Sequence, residues 1–252
     1  MRFFLEFSYN GANYHGWQKQ TNVISVQEEI NRTLSTILNT DIDVVGAGRT
    51  DAGVHAKQMF GHFDCNVDFE FQDLIFKMNS FLPSDIAIKN IFKVSNKAHA
   101  RFDALSRTYR YNITFNKDPF NKNTYLFKQA LDIKSMNTAC KYIIGKQDFT
   151  SFSKINTQNF TNNCDVIFAK WELLDKGLYF TIKADRFLRN MVRAIVGTLL
   201  NVGVGKIKPE DLSKIIAAKD RSIAGRSVPA HALFLVEIIY PETINNTDAI
   251  SN

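Results

Sequence analysis

The 252-residue chain has little cysteine: Cys65, Cys140 and Cys164, an odd number with no C-x-x-C pair. That excludes a disulfide framework and a cysteine-based zinc site, and it points to a reducing, cytoplasmic compartment. Five histidines are scattered along the chain, so a histidine-ligated metal is not expected. No apolar run reaches the roughly 18–20 residues that a membrane span requires. The start, Met1-Arg2-Phe3-Phe4-Leu5-Glu6, meets a charge too soon for a signal peptide. Low-complexity segments and exact repeats are also missing. One more absence is specific. Gly46-Ala47-Gly48 opens like the dinucleotide fingerprint G-x-G-x-x-G, but Asp51 stands where the third glycine belongs. The next periodic stretch, Gln58 to Asp64, reads as a strand and not as the helix that would receive a phosphate. A nucleotide-dependent oxidoreductase is therefore a poor reading.

What is present centres on the stretch Gly46-Ala47-Gly48-Arg49-Thr50-Asp51-Ala52-Gly53-Val54-His55. Its glycines let the backbone turn tightly and approach a ligand. A cation, a hydroxyl and a carboxylate sit inside that frame. On residue types alone it is equally a plain turn with solvated charges. The net charge is +6, which permits a nucleic-acid partner without requiring one. Arg101, Arg107 and Arg110 cluster in mid-chain, and Arg186, Arg189 and Arg193 later. Phe102, Tyr109, Tyr111 and Phe187 lie among them. Cations for phosphates beside rings for bases suit RNA, although a solvated basic face over core aromatics fits equally.

The chain reads as α+β. Strands are expected at Phe3–Tyr9, around Val44-Val45, at Gln58–Asp64, Ile86–Val94, Arg107–Phe115, and at Phe234–Tyr240. A hairpin is expected from Asp165–Leu174 and Leu178–Ala184. Ser25-Val26-Gln27-Glu28 caps a helix whose Val26, Ile30, Leu34, Ile37 and Leu38 share a side. Further helices are expected at Asp73–Phe81, at Ile133–Ile144 closed by Gly145, at Arg186–Val202 and from Pro209-Glu210-Asp211 onward. In the fourth, Arg186, Arg189 and Arg193 would share one face beside a stripe of Phe187, Met191, Ile195 and Leu199. Divisions are expected at 1–100, 101–241 and a polar tail 242–252.

The decapeptide resembles the catalytic motif of the tRNA pseudouridine synthase A family. Other stretches agree. Asn10 to Gln20 is similar to Y-D-G-x-x-F-x-G-W-Q-x-Q, with Asn10 for Asp and Tyr14 for Phe. His99 to Ala104 resembles H-A-R-F-x-A, and Arg107 to Tyr111 resembles R-x-Y-R-Y. Asp148 to Phe152 resembles D-F-x-S-F. Phe187 to Gly197 resembles F-x-x-x-M-V-R-x-I-V-G, Ala218 to Arg221 A-x-D-R, and Pro229 to Leu233 P-A-x-G-L with Ala232 for glycine. The resemblance runs from Phe3 to Tyr240.

It implies two ferredoxin-like halves with mixed, largely antiparallel sheets joined around a central basic cleft, and a homodimer. It implies conversion of uridine to pseudouridine at positions 38, 39 and 40 of the tRNA anticodon stem-loop. That reaction moves a glycosidic bond from N1 to C5 with no redox change, so no cofactor or metal is required. Positive charge develops at C1′ as in glycosidases. Asp51 is implied as the catalytic nucleophile. Whether it attacks C1′, attacks C6 or acts as a base is left open by the residues. By the same resemblance Arg193 pairs with Asp51, Arg49 helps turn the target nucleotide out of its stack, Tyr109 stacks on the flipped uracil and Leu233 walls the pocket. Trp17, Gln18, Arg101, Arg107, Arg110, Arg186 and Arg189 are candidate RNA contacts. Asn156 to Cys164 carries no charge where many members place arginines, so few RNA contacts are expected there. The alternative is a non-catalytic RNA-binding protein that keeps the cleft.

Overall fold

The computed structural model describes residues 1–154, 160–175 and 177–245. The chain forms two compact units: Met1–Leu105 together with the chain from Leu235 on, and Ser106–Phe234. The chain passes from one unit to the other between Leu105 and Ser106 and returns between Phe234 and Leu235. The end of the chain groups with the first unit because Leu105 N–H donates to Ile239 O at 2.8 Å and the Tyr240 hydroxyl donates to Ala100 O.

In the first unit, strand β1 (Arg2–Tyr9) pairs antiparallel with β3 (His55–Asp64) on one side and β4 (Ile86–Val94) on the other. A central strand is covered on both faces, and β1 accordingly buries Phe3, Phe4, Leu5, Phe7 and Tyr9. Helix α1 (Val26–Leu38) starts where the Ser25 hydroxyl accepts the Glu28 N–H at 3.3 Å, and it ends at Asn39 with φ 49°. Its Val26, Ile30, Leu34 and Leu38 recur every four residues and are buried. The short strand β2 (Val45–Gly46) pairs antiparallel with β3. Helix α2 (Phe71–Phe81) stops before Pro83, and Asn79 clamps β4 by donating to Ile88 O at 2.9 Å and accepting from Ile88 N–H at 2.7 Å.

The second unit begins with β5 (Ser106–Thr114), followed by β6 (Tyr125–Leu126), α3 (Ile133–Cys140), β7 (Gly145–Asp148), β8 (Asn163–Leu174) and β9 (Gly177–Ala184). Its strands lie in the order β5-β9-β8-β7, all antiparallel, with β6 parallel to the end of β5. Helices α4 (Met191–Gly203) and α5 (Asp211–Ala218) come next, and β10 (Leu233–Ile239) runs into the first unit. The fold is α+β with mixed, largely antiparallel sheets. Among the described residues no helix is long and apolar enough to cross a membrane.

Two expected helices need correction. The helix expected over Arg186–Val202 starts only at Met191, because Asn190 adopts a left-handed φ of 68° that no helix continues through. Arg186 and Arg189 therefore do not share a helix face with Arg193, and Phe187 is not part of its apolar stripe. The helix expected over Ile133–Ile144 leaves α-geometry at Cys140 and tightens into a 3₁₀ turn, Lys141–Ile143. Gly145, with φ 92°, then opens β7. In the uncharged stretch, Asn156 to Gln158 and Asn159 lie outside the described residues, whereas Asn163 and Cys164 belong to β8. In the tail, Glu242–Asn245 form one 3₁₀ turn, and the remainder lies outside the described residues.

Candidate active site

The decapeptide joins β2 to β3 and is held from two sides. Ala47 N–H bonds Phe60 O at 2.8 Å on the β3 side. On the other, the segment Tyr14 to Trp17 lies against it: Trp17 N–H donates to Thr50 O at 3.3 Å, and Gly53 N–H donates to Tyr14 O at 3.3 Å. Asp51 to Val54 is a turn closed by Val54 N–H to Asp51 O at 3.1 Å, with Gly53 at φ 78° in its third position. Gly16 is required twice over. Its φ is 93°, and a Cβ there would lie 2.4 Å from Thr50 O. The buried Thr50 hydroxyl bonds the Tyr9 hydroxyl at 2.8 Å. His55, also buried, accepts the Gly11 N–H on Nδ1 at 3.0 Å, which fixes the neutral tautomer with its proton on Nε2.

These bonds leave Asp51 half-buried and Arg49 exposed on a braced backbone. Trp17 is only 3% exposed; its ring stacks on Phe7 at 5.2 Å and lies where a Cβ on Gly46 would sit. Gln18 is exposed next to it. Trp17, Gln18, Arg49 and Asp51 are therefore neighbours in one unit. Arg101 is exposed on a separate loop of that unit.

In the second unit, Tyr109 and Tyr111 lie on one face of β5, as the alternation implied, but differ in burial. Tyr111 is wholly buried and donates to Pro229 O at 3.0 Å; burial raises its phenol well above the ordinary range. Tyr109, opposite Ile182, is half-buried and meets the edge of Phe187 at 5.1 Å. Arg107 donates to Asp185 O at 2.7 Å, and the Asp185 carboxylate accepts the N–H of Arg186 and of Asp165, each at 2.7 Å. Arg107, Tyr109, Arg186 and Phe187 are thus gathered at one end of β5. Arg189 is exposed beyond them. Arg110 lies on the opposite face of β5, its guanidinium 4.4 Å from the Tyr179 ring.

Arg193 sits in the first turn of α4. Its Nε donates to Val228 O at 2.7 Å, and its carbonyl accepts Val228 N–H at 3.2 Å. One turn on, a Cβ at Gly197 would lie 1.8 Å from Arg226 O. Arginine and glycine four residues apart thus receive the 226–228 segment on one helix face. That segment leads to Pro229 and the buried Leu233. D-F-x-S-F and A-x-D-R also meet. The Ser151 hydroxyl donates to Ile215 O at 2.6 Å and accepts Asp220 N–H at 3.0 Å, and Lys219 pairs with Asp148 at 3.0 Å. These two motifs are internal fastenings.

Among the described residues no group of three or more His, Cys, Asp or Glu could hold a metal ion. All three cysteines are buried, and burial pushes the Cys140 and Cys164 thiols up to about 12, where they are inert. Phe187 and His99 were named only within their motifs, and the structure adds that Phe187 backs Tyr109 and His99 holds the Arg101 loop; His62, which holds the same loop, was not singled out. A histidine inside the expected strand Gln58–Asp64 was a visible signal for His62.

Residues 139–241 match the family model described as tRNA pseudouridine synthase. Over 247 residues the chain is 51% identical to the tRNA pseudouridine synthase A of Parabacteroides distasonis, covering 96% of this chain and 97% of the relative. It is 49% identical to that of Bacteroides thetaiotaomicron, covering 96% and 92%. Against that of Aliivibrio salmonicida it is 39% identical, covering 96% and 94%. Similarity of this extent defines the chain as an isomerase. It belongs to the tRNA pseudouridine synthase A family.

Proposed function

We propose that the chain converts uridine to pseudouridine at positions 38, 39 and 40 of the tRNA anticodon stem-loop, in the cytoplasm, as a homodimer, with Asp51 as the catalytic nucleophile. The observation that carries this reading is the braced decapeptide: a carboxylate held half-exposed by backbone hydrogen bonds on both sides. Chemistry at C1′ needs such a group in a fixed place, because a misplaced carboxylate loses most of its effect on the transition state. In this reading Arg193 pairs with Asp51. Arg49 helps extrude the nucleotide, Tyr109 stacks on the uracil and Leu233 walls it. Extrusion is needed because the target uridine cannot be enclosed by the reacting groups while it is stacked in the helix. The T-shaped contact of Phe187 supports Tyr109 in one orientation.

Two ferredoxin-like halves around a basic cleft form part of the proposal. The first unit supports it by the sequence β1-α1-β2-β3-α2-β4 with β1 between β3 and β4 and β2 on β3. The second supports it by β5-α3-β8-β9-α4 with β9 between β5 and β8. No step of the isomerisation consumes an oxidant or a nucleotide, so the proposal includes no cofactor. Release of the C5 proton from labelled uridine in tRNA tests the activity. Asp51→Asn should stop that release while tRNA still binds. A variant that keeps a tenth or more of the wild-type rate would remove Asp51 from the centre of the reaction.

A further inference from the structure

The H-A-R-F stretch ends in an anomaly of packing. Phe102 is 73% exposed, yet the turn that carries it is fastened on every side. Ala100 N–H donates to Nδ1 of buried His62 at 3.2 Å, and Ala100 O accepts the Tyr240 hydroxyl. His99 N–H donates to the Asp103 carboxylate at 2.8 Å, Asp103 N–H returns to His99 O at 3.1 Å, and Arg101 N–H donates to His99 Nδ1 at 3.1 Å. Arg2 reaches from β1 to Ala98 O at 2.8 Å while paired with Asp64. A column of ring contacts runs outward through this turn. His62 lies 4.6 Å from His99, His99 lies 4.2 Å from Phe102, and the Arg101 guanidinium stands 5.6 Å from the Phe102 ring. The column starts in the core, where His62 is 4% exposed, and ends in water.

We propose that the Phe102 ring is a stacking contact for an unpaired nucleotide of the tRNA, distinct from the uridine that reacts. The proposal rests on the tRNA reading above. An exposed aromatic face takes a base of any sequence, and a guanidinium beside it suits the adjoining phosphate. Exposed Lys97 adds to the positive charge of the same turn. A protein partner would need roughly 800 Å² of complementary surface, and the cations at this ring disfavour its apolar centre. Because the turn is already fixed, little ordering accompanies binding.

The test uses the full chain with Phe102→Ala and Phe102→Trp, measuring tRNA affinity across a range of salt concentrations. Phe102→Ala should weaken binding about ten-fold. The slope of log affinity against log salt should not change, since no phosphate contact is lost. Phe102→Trp should bind as the wild type does. Pseudouridine formation at saturating tRNA should keep its rate in both variants. The proposal is overturned if Phe102→Ala binds normally, if Phe102→Trp is as weak as Phe102→Ala, or if the salt slope flattens. A changed oligomeric state with unchanged tRNA affinity would assign the ring to a protein contact instead and equally overturn it. A wild type that binds tRNA but releases no C5 proton would defeat the catalytic reading alone. Normal turnover and binding by Phe102→Ala would defeat this inference alone.

Discussion

Strand β3 carries a buried histidine near each end, and each holds a loop by the same device. His55 accepts a backbone N–H from Gly11, and His62 accepts one from Ala100, both on Nδ1. The segment that follows Gly11 in turn braces the decapeptide, which brings Arg49 to the surface, whereas the turn held at Ala100 itself brings out Arg101. The loops differ in what lies next to the arginine. The aromatics packed against the decapeptide are buried, with Trp17 under Gly46 and Tyr9 on Thr50, and a carboxylate is left half-exposed. The H-A-R-F turn keeps its carboxylate, Asp103, on its own backbone and puts an aromatic ring into water. One support thus serves two purposes. Reaction requires a charge in a fixed position with apolar groups withdrawn beneath it. Adhesion to RNA requires an apolar face beside a cation.

The largest expected effect separates these purposes. Asp51→Asn should lower pseudouridine formation by a factor on the order of a thousand or more, with tRNA affinity within about two-fold of wild type. Arg101→Ala should do the reverse: several-fold weaker binding, a flatter salt slope by about one unit, and unchanged turnover at saturating tRNA. Single-turnover rates and filter-binding titrations on the same preparations give both values. Equal losses of rate and affinity in the two variants would erase the distinction.

Next in size is Tyr109, which belongs to reaction on the proposed reading. Its ring, supported by Phe187, should matter more than its hydroxyl. Tyr109→Leu should lose about a hundred-fold in turnover, and Tyr109→Phe less than ten-fold. If the two variants are equally inactive, the hydroxyl takes part in the chemistry, for example in removing the proton from C5.

A third comparison stays within the decapeptide's bracing. Gly16→Ala combines a positive φ with a Cβ at 2.4 Å from Thr50 O, so unfolding free energy should fall by about 2–4 kcal/mol. Nothing lies within 4 Å of a Cβ at Gly48, and Gly48→Ala should cost less than about 0.5 kcal/mol. Urea denaturation of the two variants measures the difference. Similar stabilities would mean that the Tyr14–Trp17 segment yields easily and does not brace Asp51.

Much of this was legible in the sequence. The alternation of Tyr109, Tyr111 and Ile113 gave β5, the Ser25 cap and four-residue apolar spacing gave α1, and Asp175 to Gly177 gave the β8–β9 hairpin, of which Lys176 lies outside the described residues. Strand β6 escaped because two residues have no period, and β7 because Gly145 reads as a helix stop before it reads as a strand start. Arg186 to Asn190 has good helical spacing and still is not helical. The Asp185 carboxylate accepts the Arg186 N–H, Lys154 N–H donates to Arg189 O at 3.0 Å, and Asn190 turns left-handed; these partners are remote in sequence or local in backbone, and spacing records neither. In the site, Asp51 and its glycines were visible because a loop must announce its turns. The partition of rings into buried Tyr111 and half-buried Tyr109 was not, since both fit one alternating face.

The smallest effect sharpens the comparison at the His62 end of β3. Burial, reinforced by Arg2 and His99, holds His62 down to about 4 from an ordinary value of 6.5, and His99 is lowered too, chiefly by burial. Asp64 and Asp103 face the same cluster and oppose the shift of His62 only in part. Both imidazoles use Nδ1 as an acceptor, so a proton there breaks the bond to Ala100 or to Arg101 N–H. The unfolded chain binds the proton more readily than the folded one, so stability is full above pH 6.5 and falls as pH drops towards 4. The loss through His62 should be roughly 1–3 kcal/mol over that window. His62→Asn offers an amide oxygen to Ala100 N–H but does not titrate. Urea midpoints between pH 7 and 4 should therefore fall less steeply in His62→Asn than in the wild type, with His99 supplying the remaining slope. Equal slopes would show that the turn carrying Phe102 is not held by a neutral His62, and the parallel between the two ends of β3 would fail.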